Sequence, residues 1–257
     1  MLHTLAQYAH MPKPLLVIGA FFSAYAILEM IFCIKHGYWR GILLTLADTV
    51  RLHKTLVISL LILIIFCIFT LDLPITKLCK NLYNVDVYTI VDFICSMSES
   101  WFVIGLLLTL SLAFRAFNLA NMAVLFKISY MSAAYAGLFN LVAKIILNRQ
   151  RPSIGLDHLG FFSFFLSDNK KLEDLTYAYN SMPSGHTITV FAAILPLILY
   201  SKNPMFKVIL IIFGVLAGMS RVYTINHWFS DVCIGALLGT LIGISMYVIN
   251  KHRFNLN

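Results

Sequence analysis

The sequence predicts an all-α integral membrane protein, and three observations carry that assignment. Hydrophobic residues make up 60% of the 257 and charged residues only 12%, against roughly 25% charged in ordinary soluble domains. The mean hydropathy is +0.85. Apolar stretches near spanning length recur along the chain, separated mostly by short polar connections. A soluble domain of this size needs more polar surface than these residues supply.

A membrane-crossing helix takes about 20 mostly apolar residues. Segments near 15–34, 55–71, 100–114, 126–147, 187–201, 207–221 and 229–250 meet or approach that length. The last six are expected to form a six-helix transmembrane core over residues 55–250. The first belongs to a region 1–54, read as an extra N-terminal membrane helix followed by a cytoplasmic connection. It carries Glu29, which is costly in lipid without a partner. The first apolar run lacks a basic leader and a small-residue cleavage site, so no removable signal peptide is expected.

Two outer connections are long. Residues 72–99 read as a short amphipathic helix lying at the interface. Residues 152–186 contain GFFSFF (160–165) and then a charged patch from Asp168 to Asp174. Those phenylalanines read either as a plug packed on the bundle or as a segment dipping into the bilayer beside a lipid-receiving site. Residues 251–257 are read as a cytoplasmic tail.

The net charge is +8, from 19 Lys plus Arg against 11 Asp plus Glu. Much of the excess lies in short connections, where basic residues facing anionic lipid explain it without a nucleic-acid partner. Lys35, Arg40, Arg51, Lys54, Arg115, Lys127, Lys202, Lys207, Lys251 and Arg253 fall on the side opposite the stretch SRVYTINHWFSD (220–231). The positive-inside rule then places that stretch outside. The five cysteines show no metal-ligand spacing. Cys33, Cys67 and Cys233 read as packing residues, whereas Cys79 and Cys95 flank a polar loop and would pair only in an oxidising compartment.

Helix alternation brings three polar clusters to one face. In KIILNRQRP (144–152), Lys144 and Arg151 stand seven apart, two helical turns, so both can project from one helix face, and Pro152 is expected to stop the helix. Alone, such residues also read as snorkelling cations at a helix end. SMPSGHT (181–187) reads as a turn and N-cap, which also offers unpaired N–H groups to an anion with His186 on the rim. In the third cluster Arg221 closes one segment, and His227 and Asp231 open the next at i and i+4. That spacing lets Asp231 accept from one imidazole nitrogen and leaves the other for a substrate. A dipole-favouring aspartate beside a bystander histidine is the plainer alternative. Together, three cations, an anion-receptive helix start and two histidines suit a phosphate dianion. No carboxylate set stands ready for magnesium and no Cys/His set for zinc, so neither metal nor cofactor is expected.

The pattern Lys144-x6-Arg151-Pro152, Pro183-Ser184-Gly185-His186 and Ser220-Arg221-x5-His227-x3-Asp231 resembles the three-part signature of the type 2 phosphatidic acid phosphatase family, whose site is shared by vanadium haloperoxidases. The resemblance covers residues 144–231 by motif and about 55–250 by helix pattern; segment 15–34 is not required by the family's six-helix core. It implies that His227 attacks phosphorus, Asp231 orients it, and His186 protonates the leaving oxygen. It also implies that Lys144, Arg151, Ser184, Gly185 and Arg221 bind the phosphate oxygens. The implied substrate is a membrane lipid phosphate or diphosphate: phosphatidic acid, phosphatidylglycerol phosphate, undecaprenyl diphosphate or lipid A. A bacterial inner membrane with the site facing the periplasm suits the last two, and lipid A is favoured. The alternative class is a non-catalytic transporter or lipid-binding protein with a phosphate-binding face, which Glu29 and Lys127 would suit. Nothing in the sequence sets the oligomeric state.

Overall fold

The computed structural model describes residues 38–162 and 178–253, and residues 24, 28, 31 and 35 besides. Apart from those isolated positions, segment 15–34 with Glu29 lies outside the described residues, as do the end of the GFFSFF run and the patch 168–174.

Nine helices are found among the described residues: α1 (Tyr38–Leu52), α2 (Lys54–Thr70), α3 (Asp72–Asn81), α4 (Val85–Met97), α5 (Ser100–Ala116), α6 (Ala120–Leu147), α7 (Gly185–Tyr200), α8 (Pro204–Tyr223) and α9 (Phe229–Arg253). Three stretches, Ala120–Leu147, Pro204–Tyr223 and Phe229–Lys251, are long and apolar enough to cross a bilayer on their own. Two bent pairs also qualify, Arg40–Leu52 with Lys54–Thr70 at 85° and Val85–Met97 with Ser100–Ala116 at 52°. Leu56, Ile62, Phe66 and Phe69 on α2, and Val208, Ile209 and Ile212 on α8, are each more than half exposed. An apolar surface this continuous has lipid as its solvent. The protein is an all-helical integral membrane protein.

Helix α7 explains why length alone is a poor guide to spans here. Its 16 residues rise only about 24 Å at 1.5 Å per residue. It lies inside the bundle, with Ile188, Val190 and Ala192 fully buried, and packs most extensively on α9 and α6. A helix surrounded by protein need not match the hydrocarbon thickness itself.

The close seating of α9 on α7 comes from glycines one turn apart. A Cβ on Gly235 would lie 3.1 Å from the Ser184 carbonyl, and one on Gly239 only 2.4 Å from the Ile188 carbonyl. One on Gly243 would lie 2.6 Å from the Leu195 Cβ. Where lipid solvates both helices equally well, such backbone approach supplies the association through van der Waals packing. It also sets the start of α7 against the start of α9, where the polar motifs lie.

Two connections differ from the sequence reading. Residues 72–99 form two helices rather than one interfacial helix. The chain breaks after Asn81, and Asn84 caps α4 by accepting from the Asp86 and Val87 amides at 2.8 and 3.2 Å. The Tyr223 hydroxyl holds that break, accepting from the Asn84 amide and donating to the Leu82 carbonyl. Residues 38–52, read as part of a connection, form α1, which packs on α9 with the Ser245 and Thr49 hydroxyls 3.3 Å apart. Cys79 and Cys95 are both free thiols, and buried Cys95 donates instead to the Ser220 hydroxyl at 3.2 Å.

Gly239→Ala should destabilise the protein by about 1–3 kcal/mol, because the added methyl meets backbone that cannot yield cheaply. Gly137→Ala, whose Cβ would meet nothing within 4 Å, should be neutral or slightly stabilising. Thermal unfolding in detergent measures both.

Candidate active site

The three polar clusters meet where α6 ends, α7 begins, α8 ends and α9 begins. Helix α6 stops at Leu147, and Asn148 takes a left-handed conformation with φ 39° while its amide bonds the Lys144 carbonyl. The helix therefore does not run to Pro152, and Arg151 stands on an extended stretch rather than on one helical face with Lys144. That stretch is held from three directions. The Gln150 amide donates to Gly160, the Arg151 amide to Ala178, and the Ser181 amide to Arg149. The Trp228 indole donates to the Gln150 carbonyl at 2.8 Å.

Arg149, which the sequence reading passes over, is the hub. Its guanidinium is fully buried and donates to Asp231 Oδ1 at 2.6 Å and to Asp72 Oδ2 at 2.6 Å. It also donates to the Ser230 hydroxyl and, twice, to the His158 carbonyl. The rings of Phe161 and Trp228 lie 4.7 and 5.4 Å from it. Asp72 opens α3 and binds back to α9 through the Ser230 amide and hydroxyl. Burying two carboxylates around one guanidinium is tolerable only because every oxygen finds donors.

Asp231 spends its second oxygen on three neighbours. Oδ2 accepts from the Ser181 hydroxyl at 2.5 Å and from the Trp228 amide at 2.9 Å, and His227 Nδ1 lies 3.6 Å away. The last distance suits an ion pair and is slightly long for a hydrogen bond. His227 sits before α9, in a turn whose Asn226 and His227 amides both donate to the Arg221 carbonyl. Within that turn Ile225 has φ 57°, a conformation a β-branched residue adopts only under constraint. The His227 ring is almost wholly buried. Burial first, then the charge of Arg151, pushes its pKa well below 6.5 against the pull of Asp231.

The cations surround this ring. Arg151 donates to the Asn226 and Asn180 carbonyls at 3.1 and 3.3 Å. Arg221 is buried at the end of α8, and its Nε has no hydrogen-bond partner among the described residues. The charges of Arg151, Lys144 and Arg221 all act on His227. Ser184 is the N-cap of α7, and its amide donates to the Asp231 carbonyl at 3.0 Å. Its hydroxyl accepts from Thr187 rather than capping the helix, so the first-turn amides stay available to an anion. Gly185 lets the Asn140 amide and Lys144 Nζ approach to 3.2 and 3.7 Å of where a Cβ would stand. His186 faces Glu99, a second residue missed by the sequence reading, with Nε2 3.2 Å from Oε1. All eight residues singled out from the sequence thus gather at one end of the bundle. Among the described residues no group of three His, Cys, Asp or Glu could hold a metal ion.

Arg149→Ala would leave Asp72 and Asp231 facing each other without their cation, and should cost about 3–5 kcal/mol. Arg149→Lys should recover only part of that loss, since an ammonium cannot reproduce the planar fork. Unfolding in detergent is the measurement, and equal stability of all three proteins would contradict the assigned role.

The family model of the PAP2 superfamily matches residues 123–255. Over 79 residues the chain is 40% identical to a Porphyromonas gingivalis lipid A 1-phosphatase, covering 30% of this chain and 18% of that protein. Over 133 residues it is 36% identical to lipid phosphate phosphatase 1 of Arabidopsis thaliana, covering 42% of this chain and 41% of that one. The chain thus spans less than half the length of the curated relatives it matches. In fold it is similar to Aquifex aeolicus LpxE, with a TM-score of 0.53 at 22% identity, covering 69% of this chain and 94% of that one. It is also similar to the first transmembrane PAP2 type phosphatidylglycerolphosphate phosphatase of Bacillus subtilis, with a TM-score of 0.55 at 19% identity, covering 76% and 96%.

Proposed function

The chain belongs to the PAP2 superfamily, and on that premise we propose that it is a membrane phosphatase that releases phosphate from a lipid phosphate or diphosphate through a phosphohistidine on His227. The observation that carries this reading is the seating of His227, a buried ring with Asp231 at 3.6 Å behind it and three cations acting on it. A ring held neutral by burial and cations keeps its lone pair for attack, and Asp231 stabilises the positive charge it gains.

The chemistry follows from this placement. The His227 nitrogen turned away from Asp231 forms a bond to phosphorus while the bond to the lipid oxygen breaks, its electron pair leaving with that oxygen. His186 supplies the proton the oxygen needs. Water then attacks phosphorus, giving its proton to His186, and the N–P bond breaks with its electrons returning to His227. Lys144, Arg151 and Arg221, with the Ser184 hydroxyl and the Gly185 amide, hold the oxygens as charge shifts in the transition state.

A lipid substrate fits the surroundings. An apolar cavity of about 380 Å³ is lined by Leu43, Leu46, Leu138, Phe139, Val142 and neighbours between α1, α6 and α9. It has the size of a small ligand site, and apart from Tyr135 its walls are aliphatic or phenyl side chains that suit an acyl chain. Arg51, Lys54, Arg115, Lys202, Lys207 and Lys251 lie at helix ends opposite the polar site, and by the positive-inside rule this supports an outward-facing site. In a bacterial inner membrane that face is periplasmic. Lipid A is the favoured substrate, in keeping with the name of the Porphyromonas gingivalis relative, with undecaprenyl diphosphate, phosphatidylglycerol phosphate and phosphatidic acid as the panel to test beside it.

His227→Gln should abolish phosphate release from that lipid panel while leaving the melting temperature in detergent nearly unchanged; undiminished turnover would remove His227 as nucleophile. EDTA should leave the wild-type rate intact. Because the ring must be neutral to attack and its pKa lies well below 6.5, kcat/KM should stay level as the pH falls through 6.5 and decline only below it.

A further inference from the structure

Glu99 is an unusual residue for its position. It is the N-cap of α5, a place favouring Ser, Thr, Asp or Asn, and its side chain makes no cap hydrogen bond. Its carboxylate instead meets His186 Nε2 at 3.2 Å, and both side chains are less than a fifth exposed. Its flanks are tied to the helices that carry the site. Next to it, the Ser100 hydroxyl bonds that of Thr189 at 3.0 Å, one turn beyond His186 on α7. One turn before it, Cys95 bonds Ser220, the neighbour of Arg221 on α8. The α4–α5 junction therefore carries a carboxylate into the site from outside the three sequence motifs.

The charges around His186 show why a carboxylate is needed there. Burial first, then the charge of Arg221 from α8, pushes the His186 pKa down to about 4, with Lys144 from α6 acting in the same direction and the Glu99 carboxylate opposing them. From α9, Asp231 is already engaged by Arg149, Ser181 and the Trp228 amide. Glu99 is the one carboxylate in contact with His186 among the described residues. A general acid must hold its proton until the leaving oxygen takes it.

We propose that Glu99 is the positioning residue that orients His186 and favours its protonated form as the acid for an alkoxide leaving group. This rests on the phosphatase reading above. It makes the need for Glu99 depend on the leaving group. An alkyl alkoxide, as in a lipid phosphate monoester, is too basic to depart without the proton. A nitrophenolate leaves readily without one, so an aryl phosphate should bypass Glu99.

The test compares wild type, Glu99→Gln and Glu99→Asp in detergent, with phosphatidic acid and p-nitrophenyl phosphate as substrates. Glu99→Gln should lose about 100-fold in kcat on phosphatidic acid, the scale of a general-acid contribution, and at least ten times less on the aryl ester. The alkaline limb of its kcat/KM profile should move to lower pH, since an acid without its carboxylate gives up its proton sooner. Glu99→Asp should recover part of both. Equal losses on the two substrates with an unmoved alkaline limb would overturn the role and leave Glu99 a structural residue, as would full activity of Glu99→Gln. A wild-type protein silent on the aryl ester and on every lipid of the panel, lipid A included, would instead overturn the phosphatase reading, and the role with it.

Discussion

The buried bridge from Asp72 through Arg149 to Asp231 is the constraint on which the rest of the site depends. One guanidinium spans two carboxylates at 2.6 Å each, from the starts of α3 and α9, with Arg149 itself just beyond the end of α6. In a low-dielectric interior neither aspartate is tolerable alone, and a lysine has too few donors in the wrong geometry. The bridge fixes where α9 begins relative to α6 and α3. With both carboxylate oxygens of Asp231 engaged, its face toward His227 has little freedom to turn. Asp231 is thus held 3.6 Å from His227 Nδ1 by a network centred on Arg149.

Around that centre the bundle supplies Lys144 from the end of α6, Arg151 from the stretch just beyond it and Arg221 from the end of α8, with a helix start lacking a side-chain cap from α7. Each arrives by a local device: a left-handed Asn148 ending α6, Ser184 starting α7, and the strained Ile225 turn between α8 and α9. The small-residue seam of Gly235, Gly239 and Gly243 brings α7 close enough for the Ser184 amide to reach the Asp231 carbonyl. Packing in the lipid-facing body and geometry at the polar end are therefore one problem, solved by the same pair of helices.

Much of this was legible in the sequence because membrane helices and this signature are both written in spacing. Apolar length located the segments only to within a few residues: α8, expected near 207–221, begins at Pro204, where Asn203 caps it by accepting from the Met205 and Phe206 amides. The residues at 144, 151, 184–186, 221, 227 and 231 come together at one end as the motif spacing suggested. Three things were hidden. Arg149 lies within a quoted motif, but only the fold shows that its partner Asp72 is 77 residues away. Glu99 reads as an ordinary charged residue at a helix boundary, and its contact with His186 spans 87 positions. The departure of Arg151 from the α6 helix turns on a left-handed Asn148, which spacing alone does not encode. Segment 15–34 lies outside the described residues apart from isolated positions, and the extra membrane helix there stays a proposal.

In the function proposed above, the Arg149–Asp231 network presents His227 as a nucleophile. The most direct measurement of this is to quench the protein during turnover of a lipid phosphate labelled in its phosphoryl group and to map the label by mass spectrometry. The expected result is an acid-labile, base-stable phosphoramidate on the peptide carrying His227. Label on another residue, or turnover with no covalent adduct under conditions that preserve phosphohistidine, would contradict it.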